Sequence, residues 1–200
     1  MPLKPLALAK SRLAAAGGVR PALALAFAVD TVTAALACPA VADVTVVTDD
    51  ARAAAELAGR GALVVADVPG AGLNAALAHG VEVVRGRRAD APVGALNGDL
   101  PALRAVELAM VLDAAGRARE RAFLADTAGV GTTLLTAVAG SPLRPAFGGA
   151  SRARHLASGA RELALGVPSV RQDVDTPDDL RAALALGVGP ATAAAAAGLL

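Results

Sequence analysis

Three short apolar runs, each closing on a carboxylate, constrain this chain's fold more than any other feature. They are VADVTVVTDD (41–50), ALVVAD (62–67) and APVGALNGD (91–99). Two stretches of helical character separate them, ARAAAELAGRG (51–61) and LNAALAHGVEVVRGRR (73–88), and a third, LPALRAVELAMVLDAAG (100–116), follows. β-branched residues with polar ends read as strands, and a closing glycine reads as a helix stop. Runs that are continuously apolar, rather than alternating, suit strands covered on both faces, as in a parallel sheet. Strand followed by helix, three times over, predicts an α/β layer structure.

The second half changes pattern. RAFLAD (121–126) and TTLLTAV (132–138) read as strands around the glycine loop TAGVG, and VPSVRQDVD (167–175) is strand-like. TPDDLRAALALG (176–187) reads as a helix with Thr176 as cap, Pro177 in the first turn, and Asp178 and Asp179 at the positive end. Upstream, residues 6–16 read as a loop running into a short helix, and a longer helix is expected from Pro21 to about Ala37. The tail ATAAAAAGLL (191–200) is expected to be a frayed terminal helix, being too short to anchor in a membrane. No repeat or linker divides the chain, which reads as one domain over residues 1–200.

Composition narrows the function classes. Hydrophobic residues make up 55% and the net charge is +1, so a large core is available and no strong field draws a polyanion. The basic clusters RGRR (85–88) and RARER (117–121) lack interleaved aromatics, so a nucleic-acid partner is not expected. No segment suits a membrane span, and the single cysteine, Cys38, suits a reducing cytoplasm.

Ligands of open α/β sheets bind outside the carboxyl ends of the strands. Asp49-Asp50, Asp99, and Asp173 with Asp175 stand at such ends. Each alone is explained by a helix cap or a turn; two together also suit Mg²⁺ bridging to phosphates. Lys4 and Lys10 are the chain's two lysines, and Lys10 with Arg12 supplies cations for phosphate. GVGTT (129–133) and FGGAS (147–151) offer amides and hydroxyls to an anion. PGAGLNAAL (69–77) enters a helix from a glycine loop but matches neither a Walker loop nor the dinucleotide fingerprint.

KPLALAKSRLA, PGAGLNAAL, NGDLPAL, FLADTAGVGTTLL, FGGASRARHLASGA and DVDTPDDL run in an order that resembles the 2-phospho-L-lactate guanylyltransferase family, over nearly the whole chain. Actinobacterial members of that family act as phosphoenolpyruvate guanylyltransferases in biosynthesis of the deazaflavin coenzyme F-420. The resemblance implies a single three-layer α/β domain with a mostly parallel sheet, like the nucleotide-diphospho-sugar transferases. It implies transfer from GTP to a small phosphorylated three-carbon acid, phosphoenolpyruvate or 2-phospho-L-lactate, with release of pyrophosphate. Carried over by residue, Lys10, Asp99 and Asp175 are catalytic, with Mg²⁺ held by Asp99 and Asp175. Thr132, Gly148 and Ser151 match positions that contact phosphoenolpyruvate. Lys10, Arg12, Gly72, Asn74 and Gly98 fall on the nucleotide side. Arg152 and Arg154 are candidates for the substrate carboxylate, while His155 is explained by a helix or surface position.

Family members usually place a hydrophobic strand before the KPL segment, whereas this chain opens MPLKPL, so that strand is expected to be short or lacking. The alternatives are a molybdopterin or sugar-phosphate nucleotidyltransferase of the same fold, or a nucleotide-binding relative without catalysis. A homodimer is left open.

Overall fold

A computed structural model describes residues 1–10, 13 and 19–197. Among the described residues the alternation of runs produces six strands: β1 (Thr45–Val47), β2 (Leu63–Val65), β3 (Val93–Leu96), β4 (Ala122–Ala125), β5 (Thr132–Ala137) and β6 (Arg161–Glu162). Between them lie α1 (Arg20–Leu36), α2 (Ala51–Gly59), α3 (Leu73–Arg87), α4 (Ala105–Ala118), α5 (Ser151–Ala157), α6 (Pro168–Arg171), α7 (Pro177–Leu186) and α8 (Pro190–Ala196). β1 pairs with β2 in parallel, and the four other strands run in the order β3-β5-β4-β6. β4 and β6 are parallel, while β5 is antiparallel to both its neighbours.

Residues 1–3 run beside β1: Val47 N–H donates to Met1 O, and Leu3 N–H to Val47 O, each at 2.9 Å. A Cβ built on Gly98 would touch Met1, Pro2 and Leu3 at 3.7–3.8 Å, so this segment lies between β1 and the end of β3. Three residues of strand reach only about 10 Å. Beyond them an apolar groove of about 650 Å³ continues between β1 and β3, lined by Val44, Thr45, Leu77, Val81 and Val93 among others.

Side chains that alternate along the strands feed two cores. Leu124 and Leu134 face α1 and α4, joining Val29, Val32, Leu108 and Val111. Their neighbours Phe123 and Leu135 face the other way, joining Leu77 of α3 and Phe147. Strand geometry places successive residues on opposite faces, so these runs are apolar throughout because both faces are covered. A third cluster, around Phe27, Val174 and Leu180, seats α7 and α8.

Three expectations change. The helix predicted from residue 100 begins at Ala105. Leu100 N–H instead donates to Thr31 Oγ1 of α1 at 3.0 Å, and Arg104 N–H to Ser169 Oγ. The strand-like stretch 167–175 holds the short helix α6, with Pro168 at its first position. A pre-set φ and a missing donor suit a first helical turn better than a ladder. The tail is not frayed over 190–196. Asp30, a buried carboxylate of α1, accepts from Ala191 N–H (3.1 Å) and Thr192 N–H (2.7 Å) and so holds the start of α8. Gly189 is required there, because a Cβ would lie 2.4 Å from Asp30 Oδ1.

Candidate active site

β3 delivers Asp99 to the end of the sheet. Asn97 N–H still bonds Thr133 O of β5, and two residues later Asp99 O accepts from Val174 N–H at 3.1 Å. That bond fixes the 173–175 segment beside Asp99. Its far side is held by the cap of α7: Thr176 Oγ1 accepts from Asp179 N–H, and Asp179 accepts from the N–H groups of Asp175 and Thr176. The Thr176 cap predicted for α7, completed by Asp179 into a capping box, is thus what presents Asp175. Neither Asp99 nor Asp175 caps a helix: the N-caps of α4 and α7 are Arg104 and Thr176.

Both acids meet Lys10. Its ammonium donates to Asp99 Oδ2 and, at 2.9 Å, to Asp175 Oδ1. Only 11% of the lysine side chain is exposed, against 22% for Asp99 and 52% for Asp175. Lys10 follows a 3-10 turn at Leu6–Leu8 and has φ 55°, a left-handed conformation costly for a residue with a side chain. Burial alone would lower the lysine pKa. The charges and hydrogen bonds of Asp99 and Asp175 outweigh burial and hold it above its ordinary value.

Two features mark this cluster as short of positive charge. Asp99 Oδ1 is buried without a hydrogen-bond partner. Asp173, half-buried beside them, is pushed up to about 7, first by desolvation and then by Asp99, Asp175 and Asp126, with Lys10 pulling the other way. In the sequence, only its position two residues before Asp175 points to Asp173. Among the described residues no group of three or more His, Cys, Asp or Glu forms a ready-made metal centre. A divalent cation here would draw on one or two carboxylates and complete its shell with substrate and water oxygens, as Mg²⁺ commonly does.

The second cluster lies at the same end of the sheet, where β5 begins. Thr132, Gly148 and Ser151 are brought together by contacts that local sequence did not announce. Thr132 Oγ1 lies 2.9 Å from His155 Nδ1, and His155 Nε2 accepts from Ala146 N–H at 3.0 Å. Phe147 N–H donates to Asn74 Oδ1 (2.8 Å), and Asn74 Nδ2 to Phe147 O (3.1 Å). Asn74, expected on the nucleotide side, spends its amide on the peptide groups of Phe147, just before Gly148. Gly148 and Gly149 have φ of 93° and 46°, which turn the chain into α5. Ser151 is buried at the start of that helix. His155 is 0% exposed, packed between Phe123 and Phe147 with ring centroids 5.6 and 5.2 Å away. Of the helix or surface position expected for it, the helix holds: His155 lies on α5, with its ring buried rather than exposed. Burial and the nearby Arg121 and Arg154 lower its pKa to about 4.

The loop GVGTT serves an internal anion. The N–H groups of Val130 and Gly131 donate to the Asp126 carboxylate at 2.9 and 2.7 Å, so they are not offered to a substrate. A Cβ on Gly131 would sit 2.4 Å from Asp126 Oδ2. Arg152, expected near a substrate carboxylate, is held by Glu162 through two bonds of 2.9 and 3.0 Å, and Arg154 Nε donates to Ala146 O.

Of the residues expected on the nucleotide side, Gly72 (φ 92°) opens α3, with nothing within 4 Å of a built Cβ. Gly98 packs on residues 1–3, next to Asp99. Arg12 lies outside the described residues. The basic run 85–88 pairs with Asp43 and Ser141 O at the surface. The groove between β1 and β3 is lined by none of Lys10, Asp99 and Asp175.

No family model matches the chain. Similar proteins are nonetheless plain. A protein of Streptomyces coelicolor is 70% identical over 203 residues, covering 100% of this chain and 95% of its own length; it is described as a phosphoenolpyruvate guanylyltransferase. Proteins of the same description from Thermomonospora curvata and Mycolicibacterium vanbaalenii are 62% and 49% identical, over 98% of this chain and 87% and 92% of theirs. Among solved structures, one assigned as a nucleotide-diphospho-sugar transferase from Desulfovibrio desulfuricans G20 superposes with a TM-score of 0.64 at 17% identity, covering 88% of this chain and 80% of that one. CMP:2-keto-3-deoxy-manno-octonic acid synthetase complexed with CTP gives 0.53 at 19% identity, over 80% and 86%. These two likenesses show the fold, that of the nucleotide-diphospho-sugar transferases.

Proposed function

The chain belongs to the phosphoenolpyruvate guanylyltransferase family and is a nucleotidyltransferase, and from that premise we propose that it joins GTP to phosphoenolpyruvate, releasing pyrophosphate, in biosynthesis of coenzyme F-420. The observation that carries this reading is the Lys10 ammonium pinned between Asp99 and Asp175 at the strand ends. Such a site meets the needs of a reaction between two polyphosphorylated anions. The phosphate of the acceptor attacks the α-phosphorus of GTP, a new P–O–P bond forms, and the bond to the β-phosphate breaks. A phosphate monoester is already a competent nucleophile near neutrality, so no side chain need act as base. This agrees with a histidine, His155, held neutral and away from solvent.

Each residue then has a task. Lys10 places a fixed positive charge where negative charge builds on the transferred phosphoryl group and the leaving pyrophosphate. Asp99 and Asp175 hold Lys10 in place and would be the carboxylates that hold Mg²⁺, Asp99 Oδ1 being buried without a hydrogen-bond partner. Bound there, Mg²⁺ would supply charge neutralisation and orientation of the phosphates. Thr132, the Gly148 backbone and Ser151 take the phosphorylated acid. The glycine loop ending at Gly72 and the Gly98 turn take the nucleotide. The buried thiol of Cys38 agrees with work in a reducing cytoplasm, and among the described residues no helix is long and apolar enough to cross a membrane.

The test is pyrophosphate release with GTP and Mg²⁺, adding phosphoenolpyruvate or 2-phospho-L-lactate in parallel, with a chelator as control. Release is expected with phosphoenolpyruvate and is expected to stop on chelation. Release that prefers 2-phospho-L-lactate would move the acceptor assignment, and release from folded protein with neither would overturn the reading.

A further inference from the structure

Residues assigned to the acceptor acid come from three separate places: the start of β5, the loop before α5, and α5 itself. One buried ring joins them. Ser151 and His155 are four apart on α5, hence on one face of that helix. The ring of His155 reaches Thr132 with Nδ1 (2.9 Å) and Ala146 with Nε2 (3.0 Å), and Ala146 lies two residues before Gly148.

The direction of these bonds is fixed by the backbone. Ala146 N–H can only donate, so Nε2 accepts and carries no proton. A neutral imidazole has one N–H, which therefore sits on Nδ1 and donates to Thr132 Oγ1. The threonine oxygen is thereby an acceptor toward the ring, and its own hydrogen is directed elsewhere. Among the described residues no second partner takes it. A hydroxyl with a fixed, unspent hydrogen suits an anionic ligand; one with a rotating hydrogen recognises it less well. The opposite tautomer would set Nε2–H against the Ala146 N–H and turn the Thr132 hydrogen inward, toward the ring.

We infer that His155 is a positioning residue of the acceptor pocket: its Nδ1–H tautomer holds the Thr132 hydroxyl as a donor toward the acceptor's phosphate or carboxylate and fixes its spacing from the Gly148 turn. The inference rests on the guanylyltransferase reading. A histidine that merely fills the core would have no preference between acceptor and nucleotide, and any apolar ring of its size would replace it.

Three variants separate the two roles. His155→Asn keeps an amide donor near the Nδ1 position. His155→Gln keeps an acceptor near the Nε2 position but leaves Thr132 without its donor. His155→Phe fills the volume with neither. In folded protein, the Michaelis constant for phosphoenolpyruvate is expected to rise about tenfold in His155→Gln and His155→Phe, with that for GTP unchanged, and His155→Asn to recover most of the loss. Nitrogen NMR of histidine-labelled wild type, which has only His79 and His155, supplies a readout independent of turnover and of variant folding. It should show His155 as a neutral Nδ1–H ring that shifts on adding phosphoenolpyruvate. An Nε2–H tautomer, or acceptor and GTP constants that stay together in folded His155→Phe, would overturn the inference alone. Wild-type protein without acceptor-dependent pyrophosphate release would overturn the guanylyltransferase reading and this inference with it.

Discussion

At the scale of single residues, the site is a problem in charge balance. Asp99 meets one cation through Oδ2 and has a second oxygen buried without a partner. Asp99→Asn should therefore leave the fold intact, since Val174 is held by the Asp99 carbonyl rather than the side chain. It should lower turnover by about a hundredfold to a thousandfold. Circular dichroism beside the pyrophosphate assay checks both halves, and a folded, near-wild-type Asp99→Asn would remove the carboxylate from the mechanism. Lys10, Asp99 and Asp175 were legible in the sequence because charge at a strand end or in a lysine-poor chain is conspicuous against an apolar background. The contacts of Asp126, Asn74 and His155 were not. Their partners lie 4 to 73 positions away, and polar side chains that spend themselves on backbone groups look in sequence like surface residues.

At the scale of elements, local signals were readable where the chain satisfies itself locally. Thr176, Pro177 and Asp179 form the whole start of α7 within four residues, and that helix was found with its cap. The start of α4, the helix α6 and the packing of α8 depend on distant groups: Thr31, Glu107 and Asp30. Asp30 makes α8 a part of the core although its sequence is little more than alanine. Asp30→Ala should leave the Ala191 and Thr192 amides without an acceptor in a buried setting. The expected loss is about 2–3 kcal/mol, seen as a lower denaturation midpoint in urea. Removal of the last ten residues should reproduce most of it. If Asp30→Ala proved as stable as wild type, α8 would be held by apolar contact alone.

At the scale of the whole molecule, the buried histidine couples folding to pH. Burial first, and then the charges of Arg121 and Arg154, lower the His155 pKa from 6.5 to about 4 in the folded protein. As pH falls, the unfolded chain takes up this proton first, so stability is lost progressively from about pH 6.5 down to about 4 and is fully present above that window. The full loss approaches about 3 kcal/mol. Urea unfolding at pH 7 and pH 5 should show it, and His155→Phe should flatten that difference while leaving the carboxylate contribution below it. The α/β order of the first half could be read from hydrophobic runs alone. The antiparallel placing of β5 could not, since nothing within TTLLTAV distinguishes the direction in which it enters the sheet. The phenylalanines packed on the ring that sets this pH behaviour also give the protein an optical address. The chain has no tryptophan or tyrosine and only three phenylalanines, two of which lie against His155. Near-ultraviolet dichroism, ordinarily an average over many chromophores, here looks largely at one pocket, so the filling of that pocket can be followed without a label.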